Sequence, residues 1–249
     1  MSESFEPKKF NFETQIIGRT SQGRTLDVLY PGRASKNQNI EILVMSGLHG
    51  DEVEGVILNK MIFQELTSLE VSRNQGLNSK ANAPKIAFLP VANPDGFALF
   101  QRWTSQHVDL NRNWATKDFT PKFTNPRYPP GPHAESEPET RALREYIDTT
   151  KPKIIVDLHS YQDAIVLPHY AGRDQTLEAH VEKLASDLGL SLDTNPHALG
   201  YEITGGFHTW CYEHGIHSIT IEVKKGLGQH DIRATYLKGS VSFIEAIRG

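Results

Sequence analysis

Apolar and polar residues alternate over two segments near the N-terminus, residues 15–18 and 25–30, as expected of strands with one buried face. The tetrad between them, residues 21–24, has the composition of a hairpin turn. Residues 40–45 and 85–91 are instead apolar almost throughout, a pattern typical of strands covered on both faces. The first third of the chain therefore predicts a hairpin followed by a buried sheet.

Helical spacing of apolar residues follows the first buried strand. The apolar positions of this predicted helix are Val53, Val56, Ile57, Met61 and Ile62. Asp51, with Glu54 three residues later, matches a capping box at the start of the helix. Further helical patterns cover residues 139–147, 177–188, 207–214 and 232–247.

Two long segments show neither pattern. Residues 70–84 are polar and predict a surface loop, and residues 114–138 contain six prolines and predict an irregular insert. A loop of that length in a compact domain is more often functional than idle. Because strands and helices alternate without an internal repeat or a linker, we expect a single domain over residues 1–249. Its architecture should be an α/β/α sandwich with a mixed, mostly parallel sheet.

Composition limits the classes of function. The chain has 249 residues, enough for one well-buried domain, and its net charge of −4 argues against a general nucleic-acid binder. No apolar run approaches the ~20 residues that span a bilayer, and the first residues lack the layout of a signal peptide. The single cysteine, Cys211, excludes an internal disulfide. We therefore expect a cytoplasmic protein that binds neither nucleic acid nor membrane.

Residues that bind metals follow three of the apolar strands. His49 and Glu52 follow the run at 42–45, His159 follows the run at 154–158, and Glu222 follows the run at 219–221. Ligands of open α/β sheets bind at the carboxyl ends of the strands. A catalytic zinc takes three protein ligands and keeps one position open, and His49, Glu52 and His159 supply such a set. Glu222 is then the candidate general base that takes a proton from the attacking water.

Each of these residues also has a simpler interpretation. Glu52 could serve the N-terminus of the following helix. His159 could be a satisfied polar residue at a strand end, and Glu222 could pair with Lys224 or Lys225. The combination at three strand ends is what favours a metal site.

The middle of the chain carries two polar motifs with an arginine between them. Asn93-Pro-Asp-Gly96 is interpreted as a turn after a strand, and Asp109-Leu-Asn-Arg-Asn113 follows Arg102. A guanidinium presents a planar fork suited to carboxylates and developing oxyanions. Surface pairing is the simpler interpretation of Arg102. We expect Asp109 and Glu137 to support or cap neighbouring groups.

Taken together, the motifs resemble the zinc carboxypeptidase family, the funnelin or M14 group. The matching stretches occur in the family's order over roughly residues 40–223, and they are His49-Gly-Asp-Glu52, Asn93-Pro-Asp-Gly96, Asp109-Leu-Asn-Arg-Asn113, Leu158-His159-Ser160-Tyr161 and Ile221-Glu222. Residues 136–143 and 200–211 resemble its murein peptide amidase branch, whose members cut the γ-D-glutamyl–diaminopimelate amide of cell-wall tripeptide. The resemblance implies a carboxypeptidase-like (phosphorylase/hydrolase-like) α/β fold with about eight strands.

The resemblance also implies roles for the matching residues. His49, Glu52 and His159 would hold one Zn²⁺ per chain. Glu222 would be the general base, and Arg102 would stabilise the tetrahedral oxyanion. The activity implied is that of a metallocarboxypeptidase or amidopeptidase.

Four further residues would bind the small peptide substrate by the same resemblance. Asn111 and Arg112 would grip its free carboxylate, and Tyr201 would close over it. His208 stands where the family's pocket selects the terminal side chain. Because the charge of a histidine is adjustable near neutral pH, we expect His208 to accept an acidic or zwitterionic group. Cys211 and the remaining histidines are expected to be structural or surface residues.

Two alternatives stay open. An N-acyl amino acid deacylase of the succinylglutamate desuccinylase/aspartoacylase type shares the His-x-x-Glu and Asp-Leu-Asn-Arg elements. The Asn93–Gly96 motif, Tyr201 and the segment at 205–207 favour the peptidase. A catalytically silent binding protein with this fold is the second alternative. Retention of the three ligands, Glu222 and Arg102 speaks against it.

Overall fold

The computed structural model of this chain describes residues 12–31, 40–74, 86–194 and 203–248. Its strands are β1 (Phe12–Arg19), β2 (Thr25–Pro31), β3 (Ile42–Ser46), β4 (Ile86–Leu89), β5 (Ile154–Tyr161), β6 (Ile165–His169), β7 (Ser191–Leu192) and β8 (His217–Lys224). These eight strands of the described ranges form one mixed sheet in the order β1-β2-β4-β3-β5-β8-β6-β7. The predicted α/β fold with a mixed sheet is confirmed.

Helices connect and cover the strands. They are α1 (Val53–Asn74), α2 (Pro94–Leu99), α3 (Pro138–Thr150), α4 (Gln175–Leu188), α5 (Phe207–Glu213), α6 (Gln229–Ile232) and α7 (Lys238–Ile247). A 3₁₀ turn lies at Leu110–Arg112, and a π-helical turn at Arg233–Leu237 joins α6 to α7. No helix within the described ranges has both the length and the apolar character needed to cross a membrane.

Helices pack on both faces of the sheet. Ile42 and Val44 of β3 belong to a core shared with α1, α4 and α7, whereas Leu43 and Met45 belong to a core shared with α3 and α5. Neighbouring side chains of a strand point to opposite faces, so β3 contributes to both cores. All five residues of β3 are buried, as the continuous apolar run predicts.

Three parallel neighbours, β3, β5 and β8, form the centre of the sheet. Ser46 of β3 lies opposite Leu158 of β5, and His159 of β5 lies opposite Glu222 of β8. The apolar runs predict strand ends at these two residues, but β5 and β8 remain paired as far as Tyr161 and Lys224. His159 and Glu222 are therefore held within the sheet, just before its carboxyl edge.

Two local predictions are wrong. The polar loop expected at 70–84 does not include residues 70–74, because α1 continues to Asn74; residues 75–84 lie outside the described ranges. Asn93 does not open a simple turn, because it caps α2: its Oδ1 accepts a hydrogen bond from the Gly96 N–H at 2.9 Å. The irregular insert at 114–138 is confirmed up to residue 137, where α3 is about to begin.

The capping box at the start of α1 is also wrong. The Glu54 carboxylate accepts hydrogen bonds from Ser160 Oγ at 2.8 Å and from the Gly226 N–H at 2.6 Å. Asp51 Oδ2 instead lies 3.1 Å from Lys225 Nζ. Both side chains therefore tie α1 to segments that are distant in the sequence, rather than capping the helix.

Candidate metal centre

His49, Glu52 and His159 converge at the carboxyl edge of the sheet. His49 Nδ1 lies 2.7 Å from Glu52 Oε1, and His159 Nδ1 lies 2.7 Å from Glu52 Oε2. All three side chains are buried, and one ligand atom from each lies within 4.8 Å of the others. The structure thus brings together the three residues that the sequence singled out.

An outer carboxylate orients each imidazole. Asp109 Oδ1 lies 3.2 Å from His49 Nε2, and Asp157 Oδ2 lies 2.8 Å from His159 Nε2. A metal-binding histidine commonly donates its second N–H to a carboxylate, which fixes the tautomer and leaves the other nitrogen for the metal. Both Nδ1 atoms face Glu52, so the donor set of two imidazoles and one carboxylate fits zinc. Asp157 was missed in the sequence, although its place two residues before His159 puts both on one face of β5.

The charges of this cluster are strongly linked. Burial alone would raise the pKa of Glu52, but the adjacent His49 and His159 hold it well below its ordinary value. Burial would likewise lower the pKa of His159, yet Asp157 and Glu52 hold it well above the ordinary value. The carboxylate therefore stays ionised, while a metal ion must displace a proton from His159 in order to bind.

Glu222 lies beside the cluster, on the strand next to His159. Burial raises its pKa to about 7, and the carboxylates of Glu52 and Asp157 add to the effect, which His159 opposes. Its Oε2 is buried and has no hydrogen-bond partner among the described residues. Neither Lys224 nor Lys225 forms an ion pair with it in the part of the chain that the structure describes, so the simpler interpretation of Glu222 does not hold.

Arg102 is buried and contacts the same cluster. It binds one carboxylate oxygen of Asp109, Oδ2, while His49 lies next to the other, Oδ1. Its Nε and Nη2 lie 2.9 and 2.8 Å from Asp109 Oδ2, and its Nη1 lies 3.5 Å from Glu52 Oε1. With only 9% of its surface exposed, Arg102 is not a surface-pairing residue. Asp109 therefore links His49 to the buried guanidinium.

The backbone around Arg102 also packs against the turn that carries His49. The Gly50 N–H donates to the Arg102 carbonyl at 3.4 Å, and the Asn93 amide donates to the carbonyls of Leu48 and Arg102 at 3.4 and 3.3 Å. A side chain at Gly50 would collide with the backbone of Gly96. The two turns are thus in direct backbone contact.

Asn111 and Arg112 form the 3₁₀ turn next to Asp109. Asp109 Oδ1 accepts from the Asn111 N–H at 2.9 Å, and Asn111 Oδ1 accepts from the Phe207 N–H at 3.0 Å. Gly205 has a φ of 64°, and a side chain there would collide with the Arg112 carbonyl. The segment at 205–207 therefore packs against the predicted carboxylate clamp.

Tyr201 falls outside the described residues. His208 lies near the cluster, with its ring centre 6.4 Å from that of His159. The two ring nitrogens of His208 lie 3.1 Å from Ser218 Oγ and 3.0 Å from Thr220 Oγ1, and the ring stacks on His169. Burial, together with the neighbouring histidines, lowers the pKa of His208 well below its ordinary value. This shift favours the neutral ring and runs against the expected adjustable charge; the role of His208 at the terminal side chain stays a prediction.

Cys211 behaves as the sequence suggests. Its thiol is fully buried, and burial raises its pKa well above the ordinary value. A reactive cysteine needs a lowered pKa and access to solvent, and Cys211 has neither. Cys211 belongs to α5, and its side chain packs with the apolar residues of the core beneath that helix.

A buried cluster of two histidines and a glutamate, next to a second glutamate and a buried arginine on a mixed α/β sheet, has the donor set expected of a zinc-dependent hydrolase. The chain belongs to the zinc carboxypeptidase family, Peptidase M14, whose model matches residues 6–237. It is accordingly a hydrolase of the metallopeptidase class. The family match agrees with the resemblance expected from the motifs.

Individual relatives point to two activities. Murein peptide amidase A of Escherichia coli K12 is 28% identical over 84% of this chain and 80% of its own length. Human carboxypeptidase B is 27% identical over 88% of this chain and 61% of its own length. Among solved structures, murein-tripeptide amidase of Escherichia coli O157 has a TM-score of 0.69 at 25% identity, covering 99% of this chain and 94% of that one. Thrombin activatable fibrinolysis inhibitor shares the fold, with a TM-score of 0.74 at 20% identity over 96% of this chain and 69% of its own.

Proposed function

We propose that this chain is a zinc-dependent carboxypeptidase or amidopeptidase, which hydrolyses the amide bond before a terminal residue with a free carboxylate. The observation that carries the proposal is the placement of two guanidiniums next to the His49–Glu52–His159 cluster. Arg102 contacts Glu52, and the guanidinium carbons of Arg102 and Arg112 lie 5.1 and 4.9 Å from the centre of one ring, that of Tyr128. Two buried guanidiniums this close suit a substrate with a terminal carboxylate beside a carbonyl oxygen on which negative charge develops.

His49, Glu52 and His159 would hold the metal, one zinc per chain. Bound there, zinc would polarise a substrate carbonyl and lower the pKa of a water molecule. Glu222, whose buried Oε2 has no partner in the described part of the chain, accepts a proton from the attacking water and delivers it to the leaving nitrogen as the C–N bond breaks. Arg102 donates hydrogen bonds to the carbonyl oxygen as negative charge develops on it.

Substrate orientation falls to the segment after Asp109. Arg112 and the side chain of Asn111 bind the terminal carboxylate, because a guanidinium fork matches carboxylate geometry. Tyr201, outside the described residues, closes over the bound substrate in this proposal. His208, kept neutral, contributes a hydrogen-bonding wall of the pocket for the terminal side chain.

The substrate class includes the γ-D-glutamyl–diaminopimelate amide of murein tripeptide. The similarity to murein peptide amidase A supports this choice. Diaminopimelate is the last residue of the tripeptide and carries a carboxylate next to the scissile nitrogen, so the same clamp can hold it. We further propose that the chain acts on small peptides as one catalytic domain in the cytoplasm.

A matched substrate panel tests the function. It contains Ala-γ-D-Glu-diaminopimelate, its α-linked isomer, peptides ending in Phe, Lys and Glu, and the acyl amino acids acetyl-aspartate and succinyl-glutamate. We expect zinc-dependent release of the terminal residue from at least one peptide. Turnover of the acyl amino acids alone would overturn the proposal in favour of a deacylase. Absence of any turnover by protein that contains a full equivalent of zinc would refute a peptidase function.

A further inference from the structure

Residues 114–137 form the irregular insert, which is rich in proline. Four of its residues, 127–130, lie against the segments that carry Arg102 and Arg112, and we refer to them as the 127–130 brace. Three of its carbonyls accept hydrogen bonds from segments that carry site residues. The Arg127 carbonyl accepts from Trp103 Nε1, the Pro129 carbonyl from the Asp109 N–H and the Pro130 carbonyl from Asn113 Nδ2, each at 2.8 Å. The brace is therefore attached to the segments that adjoin each of the two arginines, Arg102 and Arg112.

The donors show what the brace holds in place. Trp103 follows Arg102 directly, Asp109 is the ion-pair partner of Arg102, and Asn113 follows Arg112. Two consecutive prolines, Pro129 and Pro130, restrict the backbone of the brace. A stiff segment bonded at three points has little freedom to move relative to the arginines.

The side chain of Tyr128 projects from the middle of the brace onto both arginines. Its half-buried ring has the guanidinium carbon of Arg102 at 5.1 Å and that of Arg112 at 4.9 Å from its centre. Both arginines are buried, with exposed fractions of 9% and 4%. A cation within about 6 Å of an aromatic ring is attracted by the ring quadrupole, more strongly when the cation is withdrawn from water. One ring therefore contacts both guanidiniums, and for Arg102 this contact adds to the ion pair with Asp109.

We propose that Tyr128 is a positioning residue for hydrolysis. Its ring holds the guanidiniums of Arg102 and Arg112 in the arrangement that grips, on one substrate, the developing oxyanion and the terminal carboxylate. The inference rests on the proposed function. It assigns the effect to the aromatic ring and not to the hydroxyl group, and it gives the Pro-rich insert a role in the reaction.

The proposal makes a distinctive kinetic prediction for Tyr128→Leu, which keeps the apolar bulk and removes the ring. Using the best substrate of the panel, we expect KM to rise about tenfold, because Arg112 is misplaced, and kcat to fall about tenfold, because Arg102 is misplaced. Tyr128→Phe keeps the ring and should stay within about twofold of wild type. Phe123→Leu makes the same aromatic-to-aliphatic change at an exposed position of the same insert, 52% exposed, and serves as the matched control.

A double-mutant cycle separates positioning from loss of structure. In an Arg112→Gln background, Tyr128→Leu should raise KM by less than about twofold, because the guanidinium that the ring orients for carboxylate binding is gone. Zinc content and the far-ultraviolet circular dichroism of each variant are measured alongside. If Tyr128→Leu does not fold, Tyr128→Met replaces it in every arm with the same expectations.

The outcomes are distinct. If wild type hydrolyses the panel and Arg102→Gln is impaired, while Tyr128→Leu behaves as Phe123→Leu does, the Tyr128 proposal is refuted and the proposed function stands. An equal loss in Tyr128→Phe and Tyr128→Leu would also overturn it, by assigning the effect to the hydroxyl. If zinc-loaded wild type hydrolyses no peptide, the proposed function fails and takes this inference with it.

Discussion

Asp157 and His159 lie on the same face of β5, and Asp157 Oδ2 is 2.8 Å from His159 Nε2. Alternation along a strand makes this contact a direct result of their spacing in the sequence. Asp109 contacts His49 in the same way, but from a distant loop. Each imidazole is thereby turned so that Nδ1 faces Glu52.

Asp157→Asn tests this orientation. We expect zinc affinity to fall about 10- to 100-fold, the usual cost of losing an outer-shell partner of a metal-binding histidine. Competition with a chromophoric chelator measures the affinity. Asp163→Asn, an exposed position in the loop between β5 and β6, makes the same chemical change and should leave the affinity as in wild type. Equal affinities for the two variants would show that Asp157 does not orient the ligand.

Glu222→Gln removes the proposed base and leaves the three metal ligands in place. We expect kcat to fall by about 10²- to 10⁴-fold with unchanged zinc content. Glu65→Gln, at an exposed position of α1, is the control. A variant that keeps more than a tenth of the wild-type kcat would remove Glu222 from the role of base.

The pH dependence of wild type should report the same group. Burial raises the pKa of Glu222 to about 7, and the base works only when ionised, so kcat/KM should rise with pH. Bound zinc favours the ionised form, and the inflection of the loaded enzyme should therefore lie below that value. A profile that falls through this range, or one that keeps the inflection in Glu222→Gln, would contradict the assignment.

Asn93→Asp should uncouple the two turns that carry His49 and Arg102. Aspartate keeps the oxygen that caps α2 but replaces the amide N–H donors with an anionic oxygen that faces two carbonyls. We expect kcat to fall at least tenfold and the free energy of unfolding to fall by about 1–3 kcal/mol. Asn59→Asp is a matched control, because Asn59 is also buried and donates to the Val44 carbonyl at 3.3 Å, away from Arg102. Its stability should fall similarly, with kcat preserved; similar kcat values in the two variants would refute the coupling.

Glu139 of α3 should make stability depend on pH. Its side chain is 1% exposed, and neither carboxylate oxygen has a hydrogen-bond partner among the described residues. Burial raises its pKa from 4.5 to about 7, and the carboxylates of Glu137 and Asp95 add to the shift. Because the folded state binds this proton more tightly than the unfolded state, the contribution of Glu139 to the free energy of unfolding should fall as pH rises from 4.5 to 7.

Glu139→Gln removes this ionisation. The variant should be more stable than wild type at pH 8, by up to about 3 kcal/mol, and close to wild type at pH 4.5. Denaturant unfolding at the two pH values measures the difference. Glu145→Gln, at an exposed position of the same helix, should follow wild type at both. A constant difference between Glu139→Gln and wild type across this range would rule out titration of Glu139.

The sequence was most informative where function and strand pattern coincide. His49, Glu52, His159 and Glu222 could be placed together because each follows or ends an apolar run, and the carboxyl ends of parallel strands share one edge. The predicted capping box at Asp51 and Glu54 was wrong because the partners of these two carboxylates are distant in the sequence. Capping boxes are inferred from local spacing, whereas Ser160, Gly226 and Lys225 compete for these carboxylates from distant parts of the chain.

Other features had no local signal. β6 was not predicted, because Pro168 interrupts a short run of only five residues, and proline is rare inside sheets. Tyr128 was not assigned, because its partners lie 16 and 26 positions earlier and the path of an irregular insert does not follow from periodicity. Its contacts are visible only once the insert is folded over the site.

The backbone contact between Gly50 and Gly96 has a practical consequence for transplanting this chemistry. Since a side chain at Gly50 would collide with the backbone of Gly96 and Phe97, the two loops are shaped to each other and cannot be exchanged separately. In a chimera that takes only the loop with His49 from another peptidase, that loop would not fit the backbone at Gly96 on which it packs. Recombination between such enzymes should therefore yield active progeny chiefly when both loops come from the same parent.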